Sequence, residues 1–152
     1  MRYLLLCLAL TFTASLSGAQ THSLQPFETD NCTFFMSGPT SQPGLWKHCC
    51  FEHDLRYWFG GALSERDISD GFLKQCVQDV AGPYWATLIY RAVMRGHNSP
   101  IQHRLHWGWG WTPERSNRSL SSDEKALVRQ ELFLLNLDRT YVNEFILRYQ
   151  LN

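Results

Sequence analysis

Cys49-Cys50-Phe51-Glu52-His53-Asp54-Leu55-Arg56-Tyr57 is the segment around which this chain is organised. It lies between Pro43-Gly44 and Gly60-Gly61, a start and a stop that suit a helix of about four turns. Residues three and four apart share a helix face, so Cys49, Cys50, His53 and Tyr57 line one side. Asp54 sits about 100° further round, which points a histidine and a carboxylate into adjacent sectors. The histidine can serve one partner while the carboxylate serves another, such as a metal ion. A lone His-Asp pair on a helix commonly does no more than face solvent. Two cysteines before it and a tyrosine after it make this pair a candidate site.

The wider composition bounds the answer. With 152 residues there is room for one domain and one modest core. Fourteen basic and fourteen acidic residues balance, which argues against nucleic acid and against a strongly basic membrane-binding face. Met1-Arg2 precedes an apolar run from Leu4 to Leu16, and Ser17-Gly18-Ala19 supplies small residues at the expected cleavage positions. That pattern predicts a secretory signal peptide over residues 1–19, too short in its apolar run to span a membrane stably. The expected location is therefore extracellular, or periplasmic in a bacterium, with no transmembrane segment in the mature chain. Cleavage would remove Cys7 and leave Cys32, Cys49, Cys50 and Cys76. Four cysteines in an exported chain predict two disulfides with three possible connectivities. Adjacent cysteines on a helix have the wrong geometry to bond each other.

Along the mature chain, residues 20–30 are polar, and Asn31 to Pro39 reads as loop because it ends in Gly38-Pro39. Ser64-Glu65-Arg66-Asp67 reads as a capping-box start, followed by Ile68, Phe72, Leu73, Cys76 and Val77 at helical spacing. Gly82-Pro83 predicts a break or kink, with helix resuming from Trp85 to Arg95. In His103-Arg104-Leu105-His106-Trp107-Gly108-Trp109-Gly110-Trp111 the tryptophans alternate and would face one way in an extended stretch. They suit either an interfacial rim or, as the commoner use, packing over a small core. Residues 115–119 read as a polar linker. Ser121-Ser122-Asp123-Glu124 opens a capped helix, and Tyr141 to Leu151 predicts another.

The Cys49–Tyr57 run resembles the active-site helix of the secreted phospholipases A2, whose pattern reads Cys-Cys-x-x-His-Asp-x-Cys-Tyr. Cys49, Cys50, His53, Asp54 and Tyr57 match it, and the likeness covers roughly residues 28–95. The resemblance implies a mainly α fold with two antiparallel, disulfide-linked helices behind a calcium loop. Residues 20–115 would form that domain, with 116–152 a C-terminal helical extension packed on it. It implies a catalytic His53 oriented by Asp70 on the second helix, with Tyr57 helping to hold Asp70. It implies Ca2+ held by Asp54 and by backbone carbonyls of Asn31, Thr33 and Phe35. The family's loop is glycine-rich, whereas this one keeps only Gly38. The implied pairings are Cys32–Cys50 and Cys49–Cys76. Arg56 stands where the family has a third cysteine, and Ser69 stands at that cysteine's partner position. Both halves of one bridge are thus missing together, and the same register places Asp70, not Asp67, six residues before Cys76.

The implied activity is calcium-dependent hydrolysis of the sn-2 ester of glycerophospholipids at a membrane or micelle interface. A non-catalytic, binding or toxin-like relative with the same fold is the rival. A zinc site from His48, His97, His103 and His106 is a weaker alternative, because both disulfides leave no free thiolate. No Gly-x-Ser-x-Gly elbow occurs, which argues against a nucleophilic serine. Glu52 reads as a solvated helix-face carboxylate.

Overall fold

The computed structural model describes residues 22–32, 35–97 and 104–152; the expected leader, Thr33 and His103 lie outside the described residues. Within them the order is β1 (Ser23–Leu24), α1 (Lys47–Phe59), α2 (Leu63–Ala81), α3 (Pro83–His97), β2 (Trp111–Thr112), α4 (Ser122–Leu134) and α5 (Arg139–Arg148). The two strands pair antiparallel, Ser23 with Thr112 and Leu24 with Trp111. The fold is mainly helical. No helix among the described residues is long and apolar enough to cross a membrane.

α1 lies between two apolar cores, and its sequence divides accordingly. Leu55, Trp58 and Phe59 enter one core with Val128 and Leu132 of α4 and Val142, Phe145 and Ile146 of α5. Cys49 and Cys50 enter the other, with Leu73 and Val77 of α2 and Ala86 and Ile89 of α3. Each fully buried large apolar side chain stabilises by about 1.5–3 kcal/mol, so both clusters hold α1 in place. The second core carries both cross-links, Cys32–Cys50 and Cys49–Cys76, with Cα atoms 5.1 and 5.7 Å apart. Those spacings suit disulfides.

Gly82, at φ 83°, ends α2, and Pro83 opens α3. Proline at a first helical position loses no hydrogen bond that a helix could make there. The expected kink is therefore a turn between two antiparallel helices, and Lys74 reaches the ring of Tyr90 across it at 5.2 Å. α2 itself starts one residue before the expected Ser64. Glu65 Oε2 accepts the Ala62 N–H at 2.7 Å, but alanine offers no oxygen in return, so only half of a capping box forms. α5 begins at Arg139 rather than Tyr141 because Asp138 Oδ1 caps the Tyr141 N–H at 3.0 Å.

α4 has the complete box. Ser121 Oγ accepts from the Glu124 N–H at 3.2 Å, and Glu124 Oε2 accepts from the Ser121 N–H at 2.8 Å. Arg115 Nε and Arg118 Nη2 also donate to Glu124, at 3.0 and 2.9 Å. Burial raises the Glu124 pKa, but these hydrogen bonds outweigh it and bring the carboxyl down to about 2. A depressed folded pKa means stability that is full above the ordinary 4.5 and is lost as pH falls towards 2. Glu124→Gln is expected to destabilise the protein by about 1–3 kcal/mol at pH 7. Urea midpoints for both forms should converge as pH drops through that window; a pH-independent gap would refute the assignment.

The Trp-Gly run is turned from Trp107 to Gly110 and extended only at its end, where Trp111 enters β2. Gly108, at φ 79°, turns the chain across the end of α1, where helical carbonyls lack partners. The N–H groups of Gly108 and Gly110 donate to Tyr57 O and Trp58 O at 2.7 and 2.8 Å. Trp111 Nε1 donates to Phe59 O at 2.7 Å, and Trp107 Nε1 to Gly61 O at 2.9 Å. A Cβ at Gly110 would fall 2.3 Å from Trp58 Cδ1, so the alternation serves close approach as well as capping. Trp107 and Trp111 are buried, and the half-buried Trp109 packs against the first core. The three rings therefore pack inward. Trp111→Ala is expected to destabilise by about 3–5 kcal/mol, read from the urea midpoint. A loss below about 1 kcal/mol would match an exposed ring instead.

Candidate active site

Helix geometry brings the predicted residues together. α1 and α2 run antiparallel, and the Cys49–Cys76 cross-link sets His53 opposite Asp70. His53 Nε2 lies 2.7 Å from Asp70 Oδ1, and the Tyr57 hydroxyl donates to the same oxygen at 2.9 Å. Asp70 is fully buried, and His53 is nearly so. A carboxylate only accepts, so the short contact assigns the proton to His53 Nε2 and leaves the Nδ1 lone pair as the basic atom. Burial, then the charge of Asp70, raises the Tyr57 pKa far above its ordinary value, so the phenol stays a donor. His53 lines a groove of about 490 Å³ together with Phe72, Leu73 and Val80 of α2 and Arg148 and Tyr149 at the end of α5.

Asp54 is buried on the neighbouring sector of α1. Thr29 Oγ1 donates to its Oδ2 at 2.5 Å and accepts the Asn31 N–H at 2.9 Å. Burial pushes the Asp54 carboxyl up to about 7; the Thr29 bond lowers it and the charge of Asp30 raises it further. The Asp54 carboxylate on α1 thus lies near a second acid, Asp30, and the Thr29 hydroxyl, both on the segment that Cys32–Cys50 ties to the helix. No cluster of three metal-ligating side chains among the described residues includes Asp54, so backbone carbonyls would have to complete the shell. Of the three expected carbonyl donors, Asn31 adopts φ 60° and the Phe35 N–H bonds Cys32 O at 2.7 Å. Thr33 lies outside the described residues.

Glu52 is no solvated carboxylate: Arg148 Nη1 and the Tyr149 hydroxyl donate to its Oε1 at 2.6 and 3.1 Å, tying the end of α5 to α1. Arg56 is buried, with its guanidinium 4.5 Å from the Trp107 ring and 4.7 Å from that of Phe59. It donates to Gly60 O and lies 3.5 Å from Glu65 Oε2. Burial lowers its pKa to about 10, which leaves it charged at neutral pH. The Ser69 hydroxyl is buried and has no hydrogen-bond partner among the described residues.

Of the four histidines considered for zinc, His103 lies outside the described residues, and His48, His97 and His106 do not gather. His48 lies against Cys49 and Cys76, whose sulfurs are joined to each other, and His106 pairs with Glu114 at 3.7 Å. His97 instead joins Asp70, a contact the sequence pattern did not reveal. Equal arms supply the missing signal: Asp70 and His97 lie at similar distances on either side of the Gly82-Pro83 turn. Comparison with protein-family models, with curated proteins and with solved structures returned no match to this chain.

Proposed function

We propose that the chain is a secreted, calcium-dependent hydrolase of the phospholipase A2 type, acting on the sn-2 ester of glycerophospholipids. One observation carries this reading: a buried Asp70 takes hydrogen bonds from both His53 and Tyr57 at the wall of a partly apolar groove. In the proposed reaction a water oxygen bonds to the ester carbonyl carbon while His53 Nδ1 takes its proton. Asp70 steadies the resulting imidazolium, and the proton passes to the departing glycerol oxygen as the acyl bond breaks. Asp54, with the carbonyls of Asn31, Thr33 and Phe35, would hold Ca2+. When bound, that ion supplies Lewis-acid polarisation of the carbonyl.

The refolded chain should release fatty acid from the sn-2 position of mixed phospholipid vesicles with calcium present, and none after chelation. Asp70→Asn should lower turnover while sparing calcium binding. A second reading, a non-catalytic binding protein of the same fold, is favoured by the glycine-poor loop and by the Thr29 hydroxyl on Asp54. Vesicle binding with no fatty-acid release at any calcium concentration would select it.

A further inference from the structure

His97 ends α3, and its side chain is about one-tenth exposed. Its Nε2 lies 3.0 Å from the Tyr57 hydroxyl and 3.0 Å from Asp70 Oδ2. A hydroxyl has one proton, and Tyr57 commits it to Asp70 Oδ1 at 2.9 Å. Its oxygen can meet His97 only by accepting, so the proton on His97 belongs on Nε2. The charged and titratable groups around His97 are His53 on α1 and Arg66, Asp67 and Asp70 on α2, with the Tyr57 phenol beside it. Burial lowers the His97 pKa, against the pull of Asp70 and Asp67, and a neutral ring still has the one N–H that Tyr57 needs.

We propose that His97 is a positioning residue: its Nε2–H pins the Tyr57 phenol as a donor to Asp70, which holds the carboxylate where it accepts from His53 Nε2 and so keeps His53 in the tautomer with a free Nδ1. The order of donors runs from His97 to Tyr57 to Asp70, with His53 donating to Asp70 from the other side. Three helices contribute, so the orientation of the base depends on how α3 packs against α2. The catalytic consequence rests on the hydrolase reading above; the hydrogen-bond order does not.

The test uses the full refolded chain and two substitutions. His97→Phe keeps a ring but has no donor, whereas His97→Gln keeps an N–H near the imidazole Nε2. Nitrogen-15 NMR should find His53 protonated on Nε2 alone in the parent and in His97→Gln, and in mixed tautomers in His97→Phe. The Tyr57 hydroxyl proton should exchange with water faster in His97→Phe than in the other two. On phospholipid vesicles with calcium, kcat should fall about tenfold in His97→Phe with KM unchanged, about 1.4 kcal/mol, and be largely restored in His97→Gln. Identical His53 tautomers and hydroxyl exchange in all three proteins would overturn the proposal whatever the activity. Equal losses in both variants would also overturn it, because ring packing and not the donor would then be what matters. If the parent shows no turnover, the hydrolase reading fails and the NMR comparison alone decides the role of His97.

Discussion

His53→Gln is expected to lower phospholipid turnover by about 10²–10⁴-fold, the range that a positioned general base contributes. Glutamine can still donate an amide N–H towards Asp70 Oδ1, so the buried carboxylate keeps two donors, the amide and Tyr57. It offers no basic nitrogen to the water, so folding should survive and proton transfer should not. Calcium affinity should stay within about twofold of the parent, since the base is no ligand in the proposed scheme. Turnover, calcium titration and the urea midpoint, measured on one preparation, separate these effects. Turnover near that of the parent would remove His53 from the chemistry. Lost turnover together with a collapsed midpoint would make the residue structural.

Asp54→Asn has an equally large expected effect, with opposite signs in two measurements. Calcium binding and turnover should disappear together, because the proposed shell loses its carboxylate. Without calcium the variant should be the more stable protein above neutral pH. Burial holds the Asp54 carboxyl near 7, against an ordinary 3.8, so its charged form is disfavoured in the fold. A raised carboxyl pKa means that its contribution is full below about 3.8 and is lost as pH rises through 7. The stability advantage of asparagine should therefore appear at pH 8 and vanish near pH 4. Calcium at a hundred times its dissociation constant should stabilise the parent by about 2.7 kcal/mol, and the variant not at all. Thermal scans at both pH values, with calcium and with chelator, read every arm. A calcium-induced stabilisation that survives in Asp54→Asn would move the cation elsewhere.

What could be read from the sequence divides along physical lines. The pairings Cys32–Cys50 and Cys49–Cys76 and the contact of His53 with Asp70 were implied by the phospholipase A2 resemblance, and the structure forms all three, whereas spacing alone left three connectivities open. Contacts closed by a third element were hidden. His97 reaches Asp70 only because the Gly82-Pro83 break is a sharp turn, and a break in helical pattern does not say how the halves fold back. Glu52 looked solvated because its partners, Arg148 and Tyr149, come from the distant end of α5. The period-two tryptophans would share a face in an extended stretch, yet from Trp107 to Gly110 carbonyls at the end of α1 needing donors set the path instead. Arg56 could be recognised as a departure from a cysteine pattern, but its three-ring surroundings of Phe59, Trp107 and Tyr149 depend on packing alone.

That guanidinium shapes how the chain acquires its cross-links. A third bridge would raise the possible pairings from three to fifteen. With Arg56 and Ser69 in its place, with Cys7 removed in the proposed secreted form, and with bonding between the neighbours Cys49 and Cys50 disfavoured, the search is between two isomers. In one, Cys50 takes Cys32 and Cys49 takes Cys76; in the other the neighbours exchange partners. Adjacent helical residues point about 100° apart, so a formed α1 presents one thiol to the loop and the other to α2. Oxidative folding then becomes a question of timing. If α1 winds before the thiols oxidise, its rotational phase selects the correct isomer without a later reshuffle.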